Sequence, residues 1–200
     1  MVKMIYVSEQ TPHGEHLVDI YSRLLDHNLM FLTGEIDDEM AENIVAQLFY
    51  LESLDNEDDI RILINSQGGL VTAGLAIYDA IQCIKCNIST ICIGQAASMA
   101  AVILASGTHG KRLAFPDARV MIHQPLGGAE GQASDVEIRA KEIGRVKRHL
   151  SQIMVNHTGQ PIEVIERDTD RDFFLNAEES VEYGLIDRIM KPGEGLITRK

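Results

Sequence analysis

The apolar and polar positions of the chain alternate in units that predict a strand followed by a helix. Short apolar runs at residues 60–64 and 88–93 are each followed by a turn and then by a helical pattern. Between residues 37 and 54, apolar side chains recur at helical spacing, and Asp37 is suited to cap that helix. Repeated units of this kind favour an α/β fold whose helices pack on a parallel sheet.

The longest helical pattern covers residues 133–157. Ser134 and Glu137 have the spacing of a capping box at its start, and Gly159 marks its end. A helix of this length rises about 35 Å, more than a compact domain of this size needs. We therefore expect it to protrude and to present a stripe of apolar residues to a partner. The stripe consists of Val136, Ile143, Leu150, Ile153 and Met154.

Composition limits the classes of protein to which the chain can belong. Its 200 residues suit one domain, and a formal net charge of −12 disfavours binding to nucleic acid. No apolar run approaches the ~18 residues of a membrane span, and residues 1–10 lack the features of a secretory leader. A cytoplasmic protein is expected, with an organelle lumen as the alternative. The cysteines, Cys83, Cys86 and Cys92, are expected to be buried free thiols that hold no metal.

Ser98 is the first candidate for chemistry, because it lies among small residues between a predicted strand and a predicted helix. A serine at this position can lie near the free N–H groups of the first helical turn, which can stabilise an oxyanion. Capping of the helix is the commoner role of such a serine, and it is the favoured interpretation of Ser98 taken alone. Gly68 and Gly69 occupy a similar place, where a close backbone approach and a simple tight turn are equally good interpretations.

Two further residues change the interpretation of Ser98. His123 ends a short apolar strand at residues 119–122, and Asp172 closes a charged run at residues 167–172. Each of them taken alone is more often structural. Together with Ser98, they supply a nucleophile, a base that activates it, and a carboxylate that orients the base. The order Ser, His, Asp differs from the order in α/β-hydrolases, which argues against an esterase of that class.

Three motifs contain these residues: Gly-Gln-Ala-Ala-Ser-Met at residues 94–99, Met-Ile-His-Gln-Pro-Leu-Gly-Gly at 121–128 and Glu-Arg-Asp-Thr-Asp-Arg-Asp at 166–172. Together they resemble the ClpP family, the proteolytic subunit of the ATP-dependent Clp protease. The similarity extends from about Glu9 to Met190. It implies the fold of that family, an α/β spiral of β-β-α units of the ClpP/crotonase type with a protruding handle helix.

The resemblance also implies a division of the chain and a role for each site residue. The division is an N-terminal axial segment at 1–18, a protease domain at 19–190 with its handle at about 124–158, and a C-terminal tail at 191–200. The catalytic residues would be Ser98, His123 and Asp172, with the backbone N–H groups of Gly69 and Met99 as the oxyanion hole. Gly68, Leu70 and Leu126 would pair with the substrate backbone, and Asp170 and Arg171 would form a contact between rings.

The function implied by the resemblance is that of a self-compartmentalised serine endopeptidase acting on unfolded proteins and short peptides. Its partners would be further copies of the chain in two stacked heptameric rings, and an AAA+ unfoldase of the ClpX, ClpA or ClpC type. Neither a metal nor an organic cofactor is expected, and ATP would be used by the unfoldase, since the chain has no P-loop. Two alternatives stay open: a non-catalytic ClpP-like ring subunit and a crotonase-like acyl-CoA enzyme.

The chain departs from the ClpP pattern ahead of the two glycines and in the pocket that receives the unfoldase. Gln67 stands where the family usually has proline, which removes a constraint on φ ahead of the two glycines. Leu63, Cys83 and Leu113 stand where the family usually has aromatic residues in the pocket that receives the unfoldase. Because aromatic residues often anchor interfaces, we expect an unfoldase from another source to dock weakly.

Overall fold

The computed structural model describes residues 5–11, 14–54, 58–128 and 130–197. Its strands are β1 (Tyr6–Thr11), β2 (Gly14–Asp19), β3 (Leu29–Ile36), β4 (Ile60–Gly69), β5 (Ile88–Ala97), β6 (Arg112–Ala114), β7 (Arg119–Ile122), β8 (Phe173–Leu175) and β9 (Arg188–Ile189). Its helices are α1 (Ile20–Leu25), α2 (Asp38–Ser53), α3 (Val71–Cys83), α4 (Met99–Ala105), α5 (Ala133–Thr158), α6 (Ile162–Asp168) and α7 (Ala177–Tyr183). Strands and helices alternate from β3 to α4, as the repeated pattern predicts.

A seven-stranded, mostly parallel sheet organises the protein, with β3, β4, β5, β6 and β9 in that order. Strand β5 is the branch point: residues 90–92 pair with β6, and residues 95–97 pair with β7. Among the described strands of this sheet, β7 and β8 alone pair antiparallel. Strands β1 and β2 form a separate antiparallel hairpin. The predicted α/β class, with helices packed on a parallel sheet, is confirmed.

Strand β4 continues beyond its predicted end at Ile64 and reaches Gly69. The polar and glycine-rich sequence predicts a turn here, but β4 keeps its pairing with β3 and β5 through irregularities in register on both sides. Ser66 stabilises this irregular strand, because its hydroxyl donates to the Gly34 carbonyl and accepts from the Gly68 N–H at 3.0 Å. The two glycines are therefore held at the carboxyl end of a central strand.

The core lies between this sheet and the helices packed on it. The predicted apolar face of α2 is buried, and Asp37 caps that helix by accepting the Met40 N–H at 2.8 Å. Every residue of α4 is buried, so this helix runs through the core. Apolar burial of this kind stabilises the fold by about 25 cal/mol per Å² removed from water. Because α4 is buried, the residue that precedes it, Ser98, has a fixed position.

Helix α5 divides into a packed half and an exposed half. Leu150, Ile153 and Met154 are buried in the core of the same chain. Ile138, by contrast, is 65% exposed, and Ile143 is partly buried. The prediction that the whole apolar stripe contacts a partner is therefore wrong for the C-terminal half of the helix, because α4 and α6 of the same chain already cover it.

The two ends of α5 differ in how well they follow the sequence pattern. The helix begins at Ala133, after Gln132, whose side chain makes no capping hydrogen bond. Ser134 thus lies inside the first turn, and the predicted capping box is wrong. At the other end, Gly159 adopts φ 75°, the left-handed conformation that commonly terminates a helix, as predicted.

A buried ion pair joins β6 to the segment before β9. Arg112, which is 3% exposed, donates two hydrogen bonds to the Asp187 carboxylate, at 3.0 and 2.6 Å. A third nitrogen of Arg112 donates to the carbonyl of His157 at 2.7 Å. Burial alone would raise the pKa of Asp187, but the hydrogen bonds and charge of Arg112 hold that pKa below its ordinary value.

His157 lies in the last turn of α5, beside this ion pair. Burial lowers the pKa of its imidazole, and the positive charge of Arg112 lowers it further. Its Nε2 is 3.2 Å from the hydroxyl of Tyr78 on α3, and the two rings meet edge to face. The C-terminal end of α5 is therefore held to the core by polar contacts as well as by apolar packing.

The three cysteines differ in environment. Cys92 is buried within β5, and burial raises the pKa of its thiol to about 12. Cys83, the last residue of α3, is exposed and Cys86 is partly exposed, so the prediction of buried thiols is wrong for these two. In the part of the chain that the structure describes, no group of three His, Cys, Asp or Glu side chains could hold a metal ion. None of the described helices is long and apolar enough to cross a membrane.

Candidate active site

Pairing between β5 and β7 brings Ser98 and His123 together. The two strands run parallel, and each of these residues directly follows its strand. The Ser98 N–H extends the pairing by donating to the Met121 carbonyl at 2.9 Å. Ser98 Oγ lies 2.8 Å from His123 Nε2, within hydrogen-bond distance.

Pairing between β7 and β8 places Asp172 on the other side of His123. Ile122 is paired with Phe173 in this antiparallel ladder, so the residue after β7 lies beside the residue before β8. His123 Nδ1 and Asp172 Oδ1 are 3.0 Å apart. Because a carboxylate can only accept, Nδ1 carries the ring proton and Nε2 is free to accept from Ser98.

The backbone of Ser98 adopts a conformation that is rare for residues other than glycine. Its φ is 56° and its ψ is −124°, and such a conformation costs of order 1–3 kcal/mol. Although Ser98 occupies the N-cap position of α4, its hydroxyl makes no capping hydrogen bond. The interpretation of Ser98 as a helix cap is therefore wrong, and the hydroxyl bonds to His123 instead.

Gly68 passes so close to Ser98 that no side chain would fit between them. Its φ is +91°, and a Cβ there would lie 2.6 Å from the Ala97 carbonyl oxygen and 2.7 Å from Ser98 Cβ. A Cβ on the next residue, Gly69, would collide with the backbone of Ile36. Both glycines serve a close backbone approach, and the alternative of a simple tight turn is wrong.

The two predicted oxyanion donors lie around the same point. Met99 is the first residue of α4, so its N–H has no acceptor within the helix. Gly69 directly follows Gly68, and a Cβ on Gly68 would lie 3.1 Å from the Met99 nitrogen. The residue before Gly69 and the Met99 nitrogen are therefore close together beside Ser98, and the oxyanion role of the two N–H groups stays a prediction.

The surface around Ser98 offers room for an extended chain. Leu70, which follows the glycines, is 49% exposed, and Leu126, on the loop after His123, is 85% exposed. An open groove of about 500 Å³ is lined by residues 123–127 and 170–172. A narrow cavity of about 30 Å³ lies beside the Ser98 hydroxyl. Its apolar lining includes Val71, Met99, Val102, Ile122, Pro125 and Met154.

Asp170 and Arg171 lie at the surface beside Asp172. The Arg171 side chain is 94% exposed and lies 3.9 Å from the Asp170 carboxylate, a surface contact that contributes little to stability. Their predicted role in a contact between rings stays a prediction. The sequence alone did not predict Gln124 as a site residue, but its amide nitrogen donates to the Asp170 carbonyl at 2.7 Å. Its position directly after His123 is the feature of the sequence that could have marked it as a site residue.

The site joins a serine, a histidine and a carboxylate in the order that serine hydrolases use to activate a hydroxyl. The fold that holds these residues is mixed α/β with a mostly parallel sheet. The sequence profile of the Clp protease family matches residues 12–193, nearly the whole chain. The chain therefore belongs to the Clp protease family, its fold is consistent with that of ClpP, and membership supports a Clp-type peptidase role.

Proposed function

We propose that the chain is a serine endopeptidase of the Clp type. The observation that carries the proposal is the hydrogen-bonded series from Ser98 Oγ through His123 to Asp172, at 2.8 and 3.0 Å. A serine hydroxyl is a weak nucleophile at neutral pH, and a histidine at this distance can take its proton. Membership of the Clp protease family supports peptide bonds as the target of this chemistry.

In the proposed reaction, Ser98 Oγ attacks the carbonyl carbon of the peptide bond while His123 Nε2 takes the hydroxyl proton. The N–H groups of Gly69 and Met99 donate to the oxyanion of the tetrahedral intermediate. His123 then gives its proton to the leaving amine, and an acyl-enzyme remains on Ser98. Water, activated by the same histidine, releases the second product, while Asp172 stabilises the charged imidazole in both steps.

The surroundings of Ser98 favour unfolded polypeptides with an apolar side chain at the cleaved position. The narrow cavity beside the hydroxyl is lined mainly by apolar side chains and suits such a residue. The backbone at Gly68, Leu70 and Leu126 would pair with the main chain of an extended substrate. Because main-chain pairing does not depend on side chains, it suits a peptidase that acts on many sequences.

The working particle would be two stacked heptameric rings in the cytoplasm, joined through the handle and through Asp170 and Arg171. An AAA+ unfoldase of the ClpX, ClpA or ClpC type would hydrolyse ATP and deliver unfolded chains. The peptidase chemistry itself uses no metal or organic cofactor, since each step is assigned to a side chain or a backbone N–H. Family membership supports a ring oligomer that works with a Clp ATPase.

Replacement of Ser98 by alanine tests the proposal. Ser98→Ala should lower turnover of a short fluorogenic peptide by ~10⁴-fold or more and leave sedimentation unchanged. Mass spectrometry after treatment with a fluorophosphonate probe should place the adduct on Ser98. The matched control, Ser53→Ala, removes an exposed serine at the end of α2 and should react as the unmodified protein does. An adduct on another residue, or an active Ser98→Ala variant, would reject the assignment.

The same measurements separate the two alternatives. A crotonase-like acyl-CoA enzyme needs no reactive serine, so it would neither take up the probe nor cleave the peptide. A non-catalytic ring subunit would assemble but show no turnover. The bonded Ser98, His123 and Asp172 favour the peptidase over both, because neither alternative requires that arrangement.

A further inference from the structure

Gln124, the residue directly after His123, makes hydrogen bonds to two separate parts of the fold. Its backbone N–H donates to the Thr169 carbonyl at 2.6 Å. Its amide nitrogen donates to the Asp170 carbonyl at 2.7 Å and lies 3.3 Å from the Asp170 carboxylate. Its amide oxygen accepts from the ammonium group of Lys147, on α5, at 2.9 Å. One side chain therefore ties the loop before Asp172 to the handle helix.

The partners of Gln124 fix the orientation of its amide. An ammonium group can only donate, so the amide oxygen must face Lys147. The carbonyl and carboxylate oxygens of Asp170 can only accept, so the amide nitrogen must face them. A carboxylate in place of the amide would meet only the first demand, and an apolar side chain would meet neither.

The position of Asp172 depends on the backbone to either side of it. Its side chain is 59% exposed, so surrounding packing does little to hold it. On its C-terminal side, the pairing of Ile122 with Phe173 aligns it with His123. On its N-terminal side, the hydrogen bonds of Gln124 hold residues 169–170 beside the segment that follows β7 and contains His123.

We propose that Gln124 is a positioning residue that keeps the Asp172 carboxylate within hydrogen-bond distance of His123. The inference rests on the proposed peptidase function, because it concerns the same site. Without the amide bonds, Asp170 loses its contact with the Gln124 side chain, although the backbone bond from Gln124 to the Thr169 carbonyl remains. Asp172, two residues further along, is then less firmly held. A displacement of about 1 Å in a catalytic arrangement can lower the rate about 100-fold. Because Lys147 belongs to α5, the amide also links the handle helix to the site.

Two substitutions of similar size test the role. Gln124→Met removes both sets of side-chain hydrogen bonds, and Gln124→Glu keeps the contact with Lys147 but sets a carboxylate against the oxygens of Asp170. Both should lower kcat for a short peptide by about 10- to 100-fold. Any change in KM should be smaller than the fall in kcat, because Gln124 borders the groove but its amide bonds are to Asp170 and Lys147. The matched control is Gln152→Met, which removes an exposed glutamine of α5 that bonds to Asn156 at 3.0 Å. Its kcat should equal that of the unmodified protein.

A second measurement separates positioning from folding. The rate at which a fluorophosphonate labels Ser98 reports activation of the hydroxyl, and it should fall by the same factor as kcat. An unchanged kcat, or a rise in KM as large as the fall in kcat, would overturn the inference. If the Gln124 variants unfold or dissociate in ultracentrifugation, Lys147→Met provides the test, because it leaves Gln124 in place and removes one of its bonds. Lys147→Met should give a smaller fall in kcat, and an unchanged kcat in that variant would overturn the inference. Absence of labelling in the unmodified protein would reject the peptidase function instead.

Discussion

At the scale of single residues, Gly68 is the position where the smallest added side chain should harm the site most. Alanine there would have to adopt a φ of +91° and would press its Cβ on the Ala97 carbonyl and on Ser98 Cβ. We expect Gly68→Ala to lower turnover of a short peptide by about 100-fold, because a shift of about 1 Å in Ser98 is enough.

Gly110→Ala is the matched control for that substitution. Gly110 also has a positive φ, +85°, but nothing lies within 4 Å of a Cβ at this position. Both alanine variants carry left-handed strain of about 1–2 kcal/mol, so both should unfold at lower urea concentrations. Only Gly68→Ala should lose turnover. Equal activity in the two variants would show that the close approach to Ser98 is not needed.

His157 should make stability depend on pH. Burial and the charge of Arg112 lower its pKa in the folded protein, whereas an unfolded chain has an ordinary histidine pKa of about 6.5. Below about pH 6.5, the unfolded chain then binds more protons than the folded protein. The contribution of His157 to the free energy of unfolding is therefore complete above that pH. It is lost as the pH falls through the window between the unfolded and folded pKa values. His157→Gln should flatten the change in the urea midpoint between about pH 7 and about pH 5.

The control for that measurement is His149→Gln, which changes an exposed histidine of the same helix. It should keep the pH dependence of the unmodified protein. If all three proteins lose the same stability between the two pH values, the half-buried His157 is not the group responsible.

Site residues differ in how far the sequence could predict them. Ser98, His123 and Asp172 each stand at the end of an element, in motifs that resemble a known family, and the structure brings these three together. The positive φ of Ser98 has no signal in the sequence, because most serines before a helix act as caps. The contacts of Gln124 also escaped prediction, since they depend on elements distant in the chain.

At the scale of elements, the two halves of α5, the predicted handle helix, need separate tests. Ile138 is 65% exposed, so Ile138→Asp should leave the free energy of unfolding of the protomer within about 0.5 kcal/mol. If the exposed half forms the contact between rings, the same variant should sediment as single rings or smaller species, and Ile138→Leu should sediment as the unmodified protein does. A double ring in Ile138→Asp would contradict the handle contact.

Leu150→Asp should behave differently, because Leu150 is 8% exposed and packs in the core of its own chain. A charge there is buried without a partner, and the apolar packing is lost as well. We expect destabilisation of about 3–5 kcal/mol, which urea unfolding would measure. Loss of assembly in this variant would report a failure to fold rather than a missing contact. Unfolding at the same urea concentration as the unmodified protein would contradict the observed packing.

The bounds of α5 were predictable because helical periodicity is a local property of the sequence. The extension of β4 to Gly69 was not, because its polar and glycine-rich residues favour a turn in isolation. Pairing with β3 and β5 overrides that local preference, and such pairing joins residues far apart in the chain. The face of α5 that packs on the core could not be predicted for the same reason, because that packing also joins residues far apart in the chain.

At the scale of the whole molecule, a small apolar cluster lies apart from the main core. Its members are Ile91, Leu113 and Met190. Leu196, in the C-terminal tail, packs on this cluster. Arg188 folds the tail back by donating two hydrogen bonds to Glu194, at 2.9 and 2.6 Å. Leu113 is one of the residues that replace the aromatic residues expected in the unfoldase pocket, so the tail packs on a cluster that includes one of those positions.

Docking of an AAA+ unfoldase should therefore be limited both by the replaced aromatic residues and by Leu196. Because an aromatic anchor can contribute ~2 kcal/mol or more, a ClpX-type unfoldase from another source should support only slow degradation of a tagged folded substrate. Leu196→Ser should raise that rate, and Ile197→Ser, which changes a neighbour that is 41% exposed, should not. Cleavage of short peptides should be the same in all three proteins. Full-rate degradation by the unmodified protein would show that the replaced aromatic residues do not limit docking, and equal rates in the two variants would show that the tail does not compete with the unfoldase.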